Sequence, residues 1–72
     1  MMDALAVSHD RAAEMLGVSP AHLSNLRAAG KFGPRPIRLG RSVRFSVREI
    51  TDWIAAGAPS ADKWLAMKGT GR

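Results

Sequence analysis

The 72-residue sequence predicts a mostly α fold with a small β-hairpin. Three stretches predict it: two short helical segments joined at Gly17-Val18-Ser19, an alternating basic segment from Ile37 to Phe45, and an apolar helix that opens at Ser46. In the first stretch, small or apolar residues at 12, 13, 16, 18, 23 and 26 supply one seam, and polar residues between 19 and 25 face away from it. Gly17 stands where the first helix must stop, because glycine takes a positive φ at a helix C-terminus without steric cost. Ser19-Pro20 starts the second helix, a hydroxyl to cap free N–H groups followed by a ring that fixes φ where no donor is needed. Ala13 allows the two helices to cross closely, and Leu23 and Leu26 seal them together. Followed by a basic hairpin and a capped helix, this pair has the order of a winged helix-turn-helix.

Length and composition bound the rest. Seventy-two residues make one small domain, expected over 1–72 with its core in 5–57 and a C-terminal helix at about 60–68. The chain has no cysteine, hence no disulfide staple and no thiolate metal site, which fits a reducing, cytoplasmic setting. No apolar run approaches the ~20 residues that span a bilayer, so no membrane partner is expected. The net charge is +5, eleven Lys and Arg against six acids. Its distribution says more than its sum. Between Glu14 and Glu49 there is no acid, yet the interval holds Arg27, Lys31, Arg35, Arg38, Arg41, Arg44 and Arg48. Solvated faces usually interleave both signs, so one-signed crowding in a small fold points to a polyanion, nucleic acid. RNA is a further reading, but the chain lacks the aromatic-bearing sheet that stacks unpaired bases, so double-stranded DNA is the expected partner.

Along the chain, Leu5 and Val7 alternate with Ala4 and Ala6, enough for a two- or three-residue edge strand or an extended lead-in. Ser8 caps the first helix, with Asp10 in its first turn. The second helix runs from about Pro20 to Ala29 and stops at Gly30. Lys31-Phe32-Gly33-Pro34-Arg35-Pro36 cannot be helical, and Phe32 is expected to anchor this turn in the core. Ser46-Val47-Arg48-Glu49 reads as a capping box, opening a helix whose apolar stripe is Val47, Ile50, Trp53 and Ile54 and whose end is marked by Gly57 and Pro59. Ser60 caps a fourth helix, Ala61 to Lys68, beyond which Gly69 to Arg72 should fray. Trp53 is expected in the core. Trp64 either packs back on the domain or meets a second protomer.

Hairpin register can be tested by arithmetic, since residues paired across two strands share a face. A two-residue loop at Gly40-Arg41 pairs Leu39 with Ser42 and Arg38 with Val43, which mixes apolar with polar. A three-residue loop, Gly40-Arg41-Ser42, pairs Leu39 with Val43, Ile37 with Phe45 and Arg38 with Arg44. Where hydrophobic pattern sets register, the second is expected. It puts Arg38 and Arg44 opposite each other on an outer face, a repulsive pair that an anion would relieve.

In this order the elements resemble the small winged-helix modules of the MerR superfamily that lack an effector domain, the excisionase and AlpA-like regulators of prophages and mobile elements. The resemblance is carried by Ala12-Ala13-Glu14-Met15-Leu16-Gly17-Val18-Ser19, Leu23 and Leu26, then Gly30-Lys31-Phe32-Gly33-Pro34. It continues through Pro36 and the run Ile37 to Phe45, which is the most diagnostic part, to Glu49-Ile50 and Trp53-Ile54. It covers about Val7 to Ala56. It implies a second helix in the major groove, a wing over backbone or minor groove, and a transcriptional or architectural role. Ser24-Asn25 stands where such proteins often carry a large or basic residue, so base preference does not transfer. The long dimerising helix of full MerR regulators is absent, so no small-molecule effector and no metal or drug sensing are expected.

The residues expected to read bases are Pro20, Ala21, His22, Ser24 and Asn25, on the outer and N-terminal part of the second helix. Asn25 is foremost, its amide matching adenine N6 and N7. Backbone or minor-groove contacts are assigned to Ser8, His9, Ser19, Arg27, Lys31, Arg35, Arg38, Arg41, Ser42 and Arg44. Several copies are expected head-to-tail on adjacent repeats, with the fourth helix around Trp64 as a contact. Catalysis has no support: His9 and His22 lack partners at ligand or triad spacing, the acids are scattered, and Gly30-Lys31-Phe32-Gly33 is too short for a phosphate loop. No cofactor is expected. The rival reading is a small antirepressor-like module whose basic surface binds an acidic protein.

Overall fold

The computed structural model describes residues 5–70, and of residues 69 and 70 the backbone alone. Serine hydroxyls start every helix. Ser8, Ser19, Ser46 and Ser60 accept from the backbone N–H three residues on, at 3.2, 3.0, 3.1 and 3.4 Å. Each such cap is worth about 1 kcal/mol against alanine, a meaningful sum in so small a domain. The elements follow as β1 (Ala6–Val7), α1 (His9–Leu16), α2 (Pro20–Ala28), β2 (Ile37–Leu39), β3 (Ser42–Ser46), α3 (Val47–Ala55) and α4 (Ala61–Thr70). The expected winged helix-turn-helix is present: four helices with a small antiparallel sheet in the order β1-β3-β2.

Helix ends obey one rule. After α1, Val18 N–H reaches the Ala13 carbonyl at 3.0 Å and Gly17 N–H that of Glu14 at 3.0 Å, with Gly17 at φ +77°. This crossed pair of bonds satisfies two carbonyls that a helix end would otherwise orphan. The same pair closes α2 around Gly30 and α3 around Gly57. The turn between α1 and α2 is thus fixed by backbone geometry as well as by packing.

The core comprises Val7, Ala12, Ala13, Leu23, Phe32, Phe45, Ile50, Trp53 and Trp64, with Leu16, Val18, Leu26 and Val47 around it. Ala12 and Ala13 are fully covered, as the close crossing of α1 and α2 requires. Phe32 sits edge-on to Phe45 at 5.7 Å and to Trp53 at 5.0 Å, so the loop after α2 is pinned at the centre of the molecule as expected. Phe45 and Leu23 are the largest side chains with no exposed surface. β1 is a true strand, pairing Val7 with Phe45 and Ala6 with Ser46.

The hairpin register differs from expectation. β2 and β3 pair Ile37 with Arg44, Arg38 with Val43 and Leu39 with Ser42, around a two-residue loop at Gly40-Arg41. Only the base of the hairpin lies over the core. Ile37, Leu39 and Val43 remain 40, 56 and 39% exposed, so their apolar pattern has nothing to register against. Turn chemistry decides instead. Gly40 has φ +64° while Arg41 does not have a positive φ, the signs of a type II′ turn whose twist matches the flanking strands. Arg38 therefore shares the Val43 and Phe45 face, and Arg44 lies on the other with Ile37. The repulsive arginine pair does not exist.

Three further corrections concern α3 and α4. Ser46 caps α3, but the Glu49 carboxylate serves α4 rather than completing a capping box. Its Oε2 accepts from the Trp64 indole N–H at 3.0 Å and from Lys68 Nζ at 2.6 Å. α4 is held down accordingly. Trp64 is 6% exposed and packs back on the domain, the first of its two expected outcomes, so α4 would have to meet a second protomer by other residues. Ile54, expected in the apolar stripe of α3, is 49% exposed. α4 runs two residues past the expected Lys68, and the fraying expected at 71 and 72 lies outside the described residues. Gly33 explains how α4 docks: a Cβ there would stand 2.7 Å from Trp53 Nε1 and 2.8 Å from Trp64 Cδ1. Only a residue without a side chain fits between the two indoles.

Candidate nucleic-acid interface

α2 presents a continuous outer surface because Leu23 and Leu26 hold its inner side against α1 and the core. Pro20, Ala21, His22, Ser24 and Asn25 are all exposed. Ala28, one turn beyond Ser24 and unmentioned in the sequence reading, is exposed on the same side. Small residues at 21, 24 and 28 leave the backbone of α2 close to whatever approaches, with the His22 ring and the Asn25 amide as the longer hydrogen-bonding groups beside them. Ser19 accepts its cap bond from His22 N–H and keeps its own O–H to donate, as does Ser8 at the start of α1.

His9 ties α1 to α2 rather than standing in solvent. Its Nε2 lies 3.4 Å from Ser24 Oγ and its Nδ1 3.5 Å from Asp10 Oδ1, with 25% of the side chain exposed. Its ring is tilted against Phe45 at 6.3 Å. Arg27 also leans on that phenyl ring, its guanidinium carbon 5.1 Å from the centroid. Such stacking orders a long side chain while its donors stay in water, the state in which an arginine is ready for an anion.

The cations sort largely by position, with Lys63 on α4 the exception, exposed and without a carboxylate within 4 Å among the described residues. Arg11 pairs with Glu14 at 2.7 Å, Arg48 with Asp52 at 3.9 Å and Lys68 with Glu49 at 2.6 Å. Among the described residues none of Arg27, Lys31, Arg35, Arg38, Arg41 and Arg44 has a carboxylate partner within 4 Å. Arg44 donates to the Val43 carbonyl at 3.1 Å and is half-buried, while the other five are exposed. α2, the loop after it and the hairpin thus carry six cations without a carboxylate in contact. The register spreads Arg38 and Arg44 over the two faces of the hairpin, with Arg41 at its tip. Ser42, opposite Leu39 at the base of the tip, is half-buried. No helix among the described residues is long and apolar enough to cross a membrane.

A helix-turn-helix with an exposed second helix, flanked by a hairpin and by cations without acidic partners, defines a DNA-binding domain. A family model described as a helix-turn-helix domain matches residues 7–58. The match takes in more than two thirds of the chain, from β1 through α3. The chain belongs to this family, one of small excisionase- and AlpA-like helix-turn-helix proteins, and is a DNA-binding regulator rather than a member of an enzyme family. No curated protein and no solved structure matches it. α4 lies outside the matched residues, and sequence reasoning missed its place beside α2. Ser60 and Asp62 announce a helix, but nothing local tells where that helix docks.

Proposed function

We propose that the chain is a sequence-specific double-stranded DNA-binding protein of a prophage or mobile element, a relative of the MerR superfamily. It acts as a transcriptional regulator or an excisionase-like architectural factor, in the cytoplasm where its DNA lies. The six cations of α2, the loop and the hairpin, none with a carboxylate partner among the described residues, carry this reading, because holding them together is unfavourable unless a polyanion arrives. α2 enters the major groove, where Pro20, Ala21, His22, Ser24 and Asn25 meet base edges, Asn25 through its amide. Ser8, Ser19, Arg27, Lys31 and Arg35 meet phosphates around it, with His9 buttressing Ser24. The hairpin is the wing: Arg38, Arg41, Ser42 and Arg44 follow the adjacent backbone or enter the minor groove.

Residues 1–72 act as a single DNA-binding domain in this proposal. One module of this size buries about 600–1,000 Å² on DNA, which is modest for specificity. Several copies on adjacent repeats supply the remainder, arranged head-to-tail and without Trp64 as their contact. A gel shift against the intergenic DNA beside the coding region, followed by titration with random duplex, tests the whole reading. Tight cognate binding with a weaker, salt-sensitive random mode supports it. Affinity for neither duplex at low salt would refute it.

A further inference from the structure

α2, the loop over 32–36 and the first turns of α4 enclose an open groove of about 540 Å³. Its floor includes Phe32 and Leu65, and its rim carries Ser24 and Arg27 from α2, Arg35 from the loop and Asp62 from α4. Two arginines and one aspartate thus line it. Asp62 pairs with neither, since no ion pair links them within 4 Å. α4 is nonetheless fixed against this rim, by Ala61 N–H to the Gly30 carbonyl at 2.9 Å and by Trp64 and Lys68 on Glu49.

We infer that this groove receives one phosphodiester strand of the bound DNA, and that Asp62 is the residue that limits affinity there. The inference rests on the DNA-binding reading and adds to it a second wall, supplied by α4. A helix lying in the major groove has a sugar-phosphate strand along each flank. The flank of α2 that bears Ser24 and Arg27 opens directly into the groove. A strand lying there is held by Arg27 and Arg35 and opposed by the Asp62 carboxylate on the facing wall. Phosphate contacts carry no sequence information, so Asp62 weakens cognate and random binding by the same factor.

Four proteins test this by fluorescence anisotropy on cognate and random duplexes over a range of salt: the wild type, Asp62→Asn, Asp62→Lys and Thr51→Lys. Thr51 is exposed on α3, does not line the groove and has no acid three or four residues away, so its replacement changes net charge as Asp62→Asn does, but on another helix. Asp62→Asn should tighten both duplexes about fivefold, the effect of one charge about 4 Å from a phosphate in water. Asp62→Lys should tighten them further and steepen the salt slope by about one unit. Thr51→Lys should do neither. Loss of the helix-start acid destabilises α4 slightly, which would weaken binding, so a gain cannot come from misfolding. Equal gains in Asp62→Asn and Thr51→Lys, or no gain in either Asp62 variant, would overturn the inference while leaving the wild type a DNA binder. A wild type that binds no duplex would overturn both readings.

Discussion

Single residues carry the sharpest chemistry of this chain. Asn25 stands exposed on α2 with two donors and an acceptor in one plane, the arrangement that reads adenine. Asn25→Ala should cost about 1–3 kcal/mol on a cognate site and little on random DNA, measured by competition binding. Equal loss on both would mean that Asn25 only positions the protein. Gly33 makes a different prediction. A methyl group there meets two indoles at 2.7–2.8 Å, so one of them or the loop must move. Gly33→Ala should destabilise the fold by about 1–3 kcal/mol, typical of overpacking, and lower the melting temperature by several degrees per kcal/mol. An unchanged melting temperature would show that the two tryptophans are not seated on this glycine. That residue was legible in the sequence only as part of a turn. Its reason is tertiary, the meeting of Trp53 and Trp64, and no local signal announces such a meeting.

At the scale of elements, local chemistry was read well and long-range placement was not. The serine caps, the glycine helix ends and Pro20 act within four residues of themselves, so the starts and stops of α1, α2 and α3 follow from sequence within one or two positions. The hairpin shows the limit. Its alternation suggested a buried face, but Ile37, Leu39 and Val43 extend beyond the core, and the preference of Gly40 for positive φ set the register. Removing Arg38 or Arg44 therefore relieves no repulsive pair. Each change to Ala should leave stability within about 0.5 kcal/mol, as for surface sites generally. A rise well above that, seen in denaturant melts, would restore the arginine-on-arginine register. Both side-chain bonds from α4 to α3 converge on a single acceptor, Glu49 Oε2. Glu49→Ala removes the partner of the Trp64 indole and of Lys68 together, leaving a buried donor unsatisfied at a cost of about 1–3 kcal/mol. Glu49→Gln keeps an amide oxygen for the indole and should recover much of that loss. Identical melting curves for the two variants would mean that the indole bond contributes nothing.

Across the whole molecule, charge and architecture agree. Three bases on α1, α3 and α4 have acidic neighbours, Arg11 with Glu14, Arg48 with Asp52 and Lys68 with Glu49, while the six of α2, the loop and the hairpin have none among the described residues, and Lys63 on α4 is the exception. This segregation was visible in the sequence as an acid-free interval from Glu14 to Glu49, and folding converts it from a stretch of chain into one surface. Which side of that surface α4 would border was not visible, because helix docking is set by Gly33, Glu49 and Trp64 acting together over more than thirty residues of chain. Head-to-tail assembly is a matter of the same scale. At saturating protein on a native site, sedimentation should give more than one protomer per duplex, and a single protomer would end that part of the account.

The central claim is that α2 and a basic wing grip duplex DNA together. The most direct test is the slope of log affinity against log salt for the wild type and for an Arg38→Ala, Arg41→Ala double variant, with circular dichroism to establish that both are folded. Each phosphate contact contributes about −0.9 to that slope, so the double variant should be shallower by about two units on cognate and random duplex alike. A folded double variant with the wild-type slope would contradict the claim, for the hairpin would then not be touching the DNA.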